Sequence, residues 1–204
     1  MKTMDRVIFL DRDGTINEEV HYLHRPEDMV LIPGAGQAIG RLNRAGFKTV
    51  VVTNQAGVAR GYYTEADVEK LHEYMNQELE KQGAHIDLFF YCPHHPEAGI
   101  GEYRRECSCR KPAPGLLEAA EGYYEVDKAH SYMIGDKLAD VEAGNHYGVP
   151  AVLVGTGYGA GIHEELTGKG GPLPYEYYGE SLEAEVDWII KREQEITEQR
   201  KGEI

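Results

Sequence analysis

The sequence contains no uninterrupted apolar stretch of about 20 residues, which is the length that a helix needs to cross a bilayer. We therefore expect no membrane span and no membrane partner. The N-terminal segment from Met1 enters a short apolar run that ends at Asp11, without the length or the small-residue cleavage site of a secretory signal. The cytoplasm is accordingly the expected location.

Basic residues are scarce, with 21 Lys and Arg against 35 Asp and Glu and a formal net charge of -14. Nucleic-acid binding requires clustered Lys and Arg that displace counterions from phosphates, so nucleic acid is not an expected partner. An acidic chain that handles a phosphate must place its few cations locally or use a metal ion.

Cysteine is also scarce: the chain has three, all in one loop, and Cys107 and Cys109 are separated by a single residue. An odd, clustered set argues against a disulfide framework and for a metal site. Together with Cys92 and His94, these residues supply three thiolates and one imidazole, a complete tetrahedral set for zinc. His95 is an alternative ligand.

A four-ligand zinc site leaves no open position for a substrate, so we expect the zinc to be structural. It would stabilise a loop, about residues 92–110, that is too polar to fold on a core of its own. It would also position Arg110 and Lys111, which follow the last cysteine directly.

Short, continuous apolar runs alternate with helical patterns along the chain. Such runs are typical of strands buried on both faces of a parallel sheet. The alternation predicts an α/β fold with a doubly wound, mainly parallel sheet, in which ligands bind beyond the carboxyl ends of the strands. We expect one domain over residues 1–204, with a less regular tail from about residue 156 that closes with an amphipathic helix. The predicted strands are residues 6–10, 47–52, 86–91, 131–134 and 151–154.

Two further local patterns bear on the fold. Thr64 and Asp67 form a capping-box pattern that predicts the start of the longest internal helix, which Gly83 would end. The glycine-rich stretch 155–160 lacks the context of a dinucleotide-binding motif, because it follows the last predicted strand. We interpret it as a flexible loop.

The main functional signal is the pair Asp11 and Asp13, directly after a buried-type strand. Gly14 permits the chain to turn, so that both carboxylates can face one pocket. Asp11 can attack phosphorus, while Asp13 can protonate the departing oxygen and then activate water. The alternative interpretation is a simple turn after a strand.

Complementary groups stand at other strand and loop ends. Thr53 and Asn54 offer a hydroxyl and an amide to phosphate oxygens, and Lys111 can neutralise charge during phosphoryl transfer. Asp136 adds a carboxylate, which together with Asp11 makes an oxygen-rich site of the kind that magnesium prefers. Each residue alone has an ordinary structural explanation, but their combination predicts one catalytic site.

These motifs, together with residues 135–140, resemble those of the haloacid dehalogenase (HAD) superfamily of phosphatases. The resemblance implies that Asp11 becomes phosphorylated and that Asp13 is the general acid and base. It also implies that Mg²⁺ is bound by Asp11, the backbone carbonyl of Asp13, and Asp136. Thr53 and Lys111 would stabilise the phosphoryl group.

Within this superfamily, the Cys/His loop resembles that of the D-glycero-D-manno-heptose 1,7-bisphosphate phosphatases and the histidinol-phosphate phosphatases, which lack a large cap domain. The first family implies removal of the C7 phosphate, leaving heptose 1-phosphate for surface-glycan assembly. Histidinol phosphate or another sugar phosphate is the alternative substrate, and a non-catalytic zinc-stabilised binding protein is the alternative of another class. The segments that favour the heptose family are residues 11–17, 22–24, 32–34, 53–61 and 92–96.

The resemblance also implies a set of substrate contacts for a chain that we expect to act as a monomer. Arg110 is chemically suited to a second phosphate, because a guanidinium can bind it bidentately. Lys137 can approach the same phosphate, or it can be merely solvated. The implied substrate-binding residues are Glu19, Val20, His21, Tyr22, Asn54, Gln55, Ala56, Arg110 and Lys137.

Overall fold

The structure of the chain, a computed structural model, describes residues 4–202. Residues 1–3 lie outside the described residues; they begin the N-terminal segment that is not expected to be a secretory signal. Residues 203–204, the end of the predicted tail, also lie outside them.

The core is one parallel sheet of six strands in the order β3-β2-β1-β4-β5-β6. This order confirms the predicted doubly wound α/β fold. The sixth strand was not predicted, because its three residues lie in a stretch that has no continuous apolar run. The strands are β1 (Val7–Leu10), β2 (Lys48–Asn54), β3 (Leu88–Cys92), β4 (Tyr132–Gly135), β5 (Ala151–Val154) and β6 (Tyr177–Gly179).

Helices flank the sheet on both sides. The predicted capping box is present at the start of α3, where Thr64 and Asp67 exchange side-chain to backbone hydrogen bonds. The helices are α1 (Ala35–Arg44), α2 (Ala56–Ala59), α3 (Glu65–Glu80), α4 (Gly115–Glu118), α5 (Leu138–Tyr147), α6 (Gly159–Lys169) and α7 (Leu182–Gly202). Short 3-10 turns cover Pro26–Asp28, Gly101–Tyr103, Ala119–Gly122 and Lys128–His130.

Helix α6 begins at Gly159, which corrects the interpretation of residues 155–160 as a flexible loop. Three glycines in α6 give the segment a low helix propensity, so its sequence does not predict a helix. The last helix, α7, forms as expected. None of the described helices, including α7 with its 21 residues, is both long enough and apolar enough to cross a bilayer.

The strands bury both of their faces, which explains their continuous apolar runs. Ile8 and Leu10 pack on one face with residues of α1 and α7, whereas Val7 and Phe9 pack on the other face with residues of α5. Alternate residues of a strand point to opposite faces, so each run contributes to two core layers.

This topology brings the carboxyl ends of β1, β2 and β4 to one edge of the sheet. Two long loops, residues 11–34 and 93–114, extend from that edge. Each is shorter than the smallest ordinary domain, so neither forms a large cap.

Candidate active site

Asp11 directly follows β1, and its side chain forms an ion pair with Lys111, which lies just after the last cysteine of the Cys/His loop. Its backbone N–H donates to the carbonyl of Ile134 in β4 at 2.9 Å. Lys111 Nζ lies 2.9 Å from Asp11 Oδ1 and donates to the carbonyl of Val52 at 2.6 Å. Both side chains are buried, with 6% and 2% of their surfaces exposed. The sheet edge thus presents a buried carboxylate next to a buried cation.

The charge state of Asp11 follows from its neighbours. Burial by itself would raise the pKa of this carboxyl, but Lys111 and Lys137 outweigh burial and place the pKa below its ordinary value. Asp11 is therefore ionised, as a carboxylate nucleophile must be.

Asp140 is a functional-site residue that the sequence analysis did not assign. It lies in α5, is 1% exposed, and places Oδ1 2.5 Å from Lys111 Nζ. Its Oδ2 accepts the backbone N–H of Lys137 at 3.0 Å, which caps the helix. Burial and the charge of Asp11 raise the pKa of Asp140 to about 6. The available signal was its position four residues after Asp136, one helical turn away.

The three oxygen groups predicted to bind magnesium converge on a single cation, the ammonium group of Lys137. Its Nζ lies 3.6 Å from Asp11 Oδ2, 3.3 Å from the carbonyl oxygen of Asp13 and 3.1 Å from Asp136 Oδ1. Glu19 Oε2 completes its surroundings at 3.2 Å. Because these three oxygen atoms already surround one positive charge, the same position is electrostatically suited to a metal ion.

The chemistry of this donor set fits Mg²⁺. Carboxylate oxygens of Asp11, Asp136 and Asp140 all lie within 4.8 Å of one another, and magnesium prefers such hard oxygen ligands. Burial is the larger cause and the negative charge of Asp11 the smaller cause that raise the pKa of Asp136 to about 7. A divalent ion bound here would offset the repulsion between the two carboxylates.

Asp13, the predicted general acid and base, is oriented by three side chains. The guanidinium of Arg12 contacts both of its oxygens, at 3.0 and 2.9 Å. Asn17 donates to Oδ1 at 3.0 Å and Gln55 donates to Oδ2 at 3.1 Å. These bonds define the orientation of the carboxyl group at the mouth of the site.

Arg12 and His72 form a supporting pair that the sequence analysis missed. Arg12 is fully buried, and its Nη1 lies 3.3 Å from Nε2 of His72 in α3. The His72 ring is buried and stacks on Phe89 at 4.7 Å between ring centroids. Burial and the charge of Arg12 push the pKa of His72 well below its ordinary value, so the neutral ring can accept this bond.

Asn54 and Gln55 reach the site, but their side chains bond to protein groups. Asn54 accepts the backbone N–H of Lys111 and donates to its carbonyl, both at 3.0 Å. Gln55 donates to Thr53 Oγ1 at 2.9 Å and accepts the hydroxyl of Tyr63 at 2.8 Å. In this arrangement the two amides orient Lys111, Thr53 and Asp13.

These groups open into a cavity of about 370 Å³, a size that suits a small polar molecule. Val20 is 40% exposed and is not part of the cavity wall, unlike the other implied substrate contacts. Tyr22 has a φ of 62°, which is unusual for a residue other than glycine. The predicted residues that line the cavity are Asp11, Asp13, Glu19, His21, Tyr22, Thr53, Asn54, Gln55, Ala56, Arg110, Lys111 and Lys137.

Beside this cavity, the three cysteines and His94 converge as the sequence predicts. The Sγ atoms of Cys92, Cys107 and Cys109 lie 3.2 to 3.5 Å apart. His94 Nδ1 lies 3.7 Å from Cys92 Sγ and 3.5 Å from Cys109 Sγ. The hydrogen bond between Cys109 and Cys92 outweighs burial and lowers the pKa of the Cys109 thiol to about 5. Zinc–sulfur bonds of about 2.3 Å fit a cluster of this size.

His95, the alternative ligand, is not part of the cluster that Cys92, His94, Cys107 and Cys109 form. Its Nδ1 accepts the backbone N–H groups of Glu97 and Ala98 at 3.2 and 3.0 Å. His94 Nε2, in turn, lies 2.7 Å from the guanidinium of Arg105. If zinc were bound at Nδ1, the neutral ring would carry its proton on Nε2, and this nitrogen would then no longer accept a hydrogen bond from Arg105.

Comparison with known proteins gives a consistent family. The family described as HAD-hydrolase-like matches residues 108–173. The D-glycero-beta-D-manno-heptose-1,7-bisphosphate 7-phosphatase of Escherichia coli (strain K12) is 48% identical over 151 residues, which are 74% of this chain and 79% of that protein. The D-glycero-alpha-D-manno-heptose-1,7-bisphosphate 7-phosphatase of Photorhabdus laumondii subsp. laumondii is 40% identical over 154 residues, 75% of this chain and 84% of that protein.

A solved structure agrees with these relatives. The D,D-heptose 1,7-bisphosphate phosphatase from B. bronchiseptica, complexed with magnesium and phosphate, is 34% identical and has a TM-score of 0.78. The match covers 92% of this chain and 99% of that chain. The chain belongs to the D-glycero-D-manno-heptose-1,7-bisphosphate 7-phosphatase family of HAD-like hydrolases.

Proposed function

We propose that the chain is a magnesium-dependent phosphatase that hydrolyses the C7 phosphate of D-glycero-D-manno-heptose 1,7-bisphosphate through a phosphorylated Asp11. Its product, heptose 1-phosphate, would serve nucleotide-heptose and surface-glycan synthesis. The observation that carries this proposal is the ionised Asp11 carboxylate, buried 2.9 Å from Lys111 at the edge of a small polar cavity. Family membership supports the choice of substrate.

In the first step, an oxygen of Asp11 attacks phosphorus while the bond from phosphorus to the C7 oxygen breaks. Asp13 donates a proton to the departing sugar oxygen. Lys111, buried against Asp11, offsets negative charge on the transferring group, and Thr53 contributes a hydroxyl at the same edge. Mg²⁺, bound by Asp11, Asp136 and the carbonyl of Asp13, would supply the charge that lets a carboxylate approach a phosphate.

In the second step, Asp13 accepts a proton from a water molecule, which attacks phosphorus and releases inorganic phosphate and the Asp11 carboxylate. Asp13 thus ends each cycle in the protonated state in which it began. Its bonds to Arg12, Asn17 and Gln55 orient the carboxyl group without a contribution from the substrate, and as N–H donors they stabilise the carboxylate that accepts the proton from water.

The second phosphate, at C1, is bound but not cleaved. Arg110 lines the cavity, and its guanidinium donates to the carbonyl of His94 at 3.0 Å. The Cys/His loop therefore positions the candidate phosphate ligand, which gives the proposed structural zinc an indirect effect on activity. Lys137 is a second cation at the same cavity.

We further propose that the chain acts as a cytoplasmic monomer without nucleic-acid or membrane partners. The three cysteines are free thiols, which suits zinc binding in a reducing compartment. The net charge of -14 disfavours polyanions and anionic lipid surfaces.

A phosphate-release assay tests the proposed substrate. It compares both anomers of the heptose bisphosphate with histidinol phosphate and simple hexose phosphates, with and without Mg²⁺. We expect Mg²⁺-dependent turnover that favours one heptose bisphosphate anomer. A hundredfold preference for histidinol phosphate would assign the alternative substrate, and no turnover of any phosphate would favour a binding protein.

A further inference from the structure

The glycine-rich segment 155–158, which connects β5 to α6, packs directly against the predicted magnesium site. Thr156 Oγ1 donates to the carbonyl of Gly14, in the turn after the two aspartates, at 2.6 Å. The backbone N–H of Tyr158 donates to Asp136 Oδ2 at 3.0 Å. The segment thus bonds to two of the loops that supply the predicted metal ligands, contrary to its interpretation as a flexible loop.

Two glycines form a slot around the Asp136 carboxylate. Gly157 has a φ of 55° and Gly14 has a φ of 87°, both in the left-handed region. A Cβ atom on either glycine would collide with Asp136 Oδ2, and one on Gly157 would also lie 2.9 Å from the Cα of Gly14. Only residues without a side chain allow this close approach of the two loops to the carboxylate.

The slot determines which way the carboxylate of Asp136 faces. Oδ2 lies between the glycines and is occupied by the N–H of Tyr158. Oδ1 lies 3.1 Å from Lys137 Nζ, on the side of Asp11 and the carbonyl of Asp13. Asp136 has no exposed surface, so water does not compete for these oxygens.

We propose that the 155–158 segment is a positioning element that orients Asp136 for magnesium and thereby sets the affinity of the site for the ion. The inference rests on the proposed magnesium-dependent function. Groups that orient a metal ligand from behind typically change metal affinity by about 10- to 100-fold when they are removed.

Magnesium titration calorimetry on the purified full chain tests this proposal with four variants. Thr156→Val removes the hydroxyl bond to Gly14, and Thr156→Ser retains it. Gly157→Ala places a methyl group in the slot. Gly161→Ala is the matched control, because a Cβ atom there meets no atom within 4 Å.

We expect Thr156→Val and Gly157→Ala to bind Mg²⁺ at least about tenfold more weakly than the wild type. Thr156→Ser and Gly161→Ala should bind it normally. Phosphate release by Thr156→Val should approach the wild-type rate at saturating Mg²⁺, which general damage to the fold would not allow.

The outcomes separate the two claims. If the wild type binds Mg²⁺ and releases phosphate, but Thr156→Val binds Mg²⁺ as tightly as Thr156→Ser does, the positioning role is wrong and the proposed function stands. The comparison of Thr156→Val with Thr156→Ser tests the positioning role even if Gly157→Ala does not fold. If the wild type neither binds Mg²⁺ nor releases phosphate, the proposed function fails, and the inference fails with it.

Discussion

Lys111 Nζ and Asp140 Oδ1 form a buried ion pair at 2.5 Å, and the same ammonium group lies 2.9 Å from Asp11 Oδ1. One cation thus serves both the predicted nucleophile and a carboxylate at the start of α5. Burial disfavours the charged forms of Lys111 and Asp140, and each charge offsets this cost for the other. The folded state therefore depends on keeping both partners of the pair.

Lys111→Met should therefore destabilise the protein as well as abolish turnover. The variant leaves Asp11 and Asp140 buried without their shared cation, at an expected cost of about 3 to 5 kcal/mol in the free energy of unfolding. Protonation of the two carboxyls relieves the cost, so the loss should be greater at pH 8 than at pH 5. Urea unfolding measures it, with the exposed Lys70→Met in α3 as control. Equal stability of Lys111→Met and wild type would contradict the role of the pair.

Asp11→Asn should abolish turnover while the protein stays folded. Loss of an enzymatic nucleophile reduces kcat by about 10³-fold or more. The charge of Asp11 raises the pKa values of Asp136 and Asp140, so its removal also relieves repulsion. Asp11→Asn also removes one partner of Lys111, but Lys111 keeps Asp140, so we expect a folded variant that still unfolds cooperatively on heating. Asp187→Asn, on the exposed surface of α7, is the control for loss of a carboxylate. Normal turnover by Asp11→Asn would exclude the covalent mechanism.

Cys107→Ser should reduce both zinc content and substrate affinity. Elemental analysis is expected to find about one zinc per chain in the wild type and much less in the variant. Arg110 bonds to the carbonyl of His94 within the same loop, so loss of zinc should raise KM for the bisphosphate. Ser108→Ala, an exposed neighbour, should retain zinc and a normal KM. A folded, zinc-free and fully active wild-type protein would refute the structural zinc.

Glu185→Gln should stabilise the protein at alkaline pH. Glu185 in α7 is fully buried, accepts the N–H of Gly179 at 2.7 Å, and has no partner for Oε2 among residues 4–202. Burial raises its pKa from 4.5 to about 8. The folded state therefore holds a proton that the unfolded state releases, and wild-type stability is lost as the pH rises from about 4.5 through 8.

The expected difference between Glu185→Gln and wild type is roughly 5 kcal/mol at pH 9, measured by urea unfolding. At pH 5 the two proteins should be similar, since both then carry a neutral side chain. Glu198→Gln, exposed on the same helix, should leave the pH profile unchanged. A parallel pH profile for Glu185→Gln and wild type would show that burial does not perturb this carboxyl.

The strand-end residues were predictable from the sequence because each one carries its own local context. Asp11, Thr53 and Asp136 follow apolar runs that form parallel strands, and the carboxyl ends of such strands meet at one edge. The Cys/His cluster was predictable for a similar reason, since its four members lie close together in the sequence, between the end of β3 and residue 109.

The residues that the sequence did not reveal act through contacts between segments that are distant along the chain. The pairs Lys111–Asp140 and Arg12–His72 depend on how α5 and α3 pack on the sheet, which no local pattern encodes. Likewise, the glycine-rich segment after β5 has the composition of a flexible loop, and only its packing against Asp136 reveals why glycine is needed there.

The configuration at phosphorus of the released product tests the covalent role of Asp11 most directly. The measurement uses a substrate with a chiral, isotopically labelled thiophosphate at C7, hydrolysed in water enriched in a third oxygen isotope. Attack by Asp11 followed by attack by water comprises two in-line displacements, so the thiophosphate should be released with retention of configuration. Inversion would show a single displacement by water and would contradict a phosphorylated Asp11.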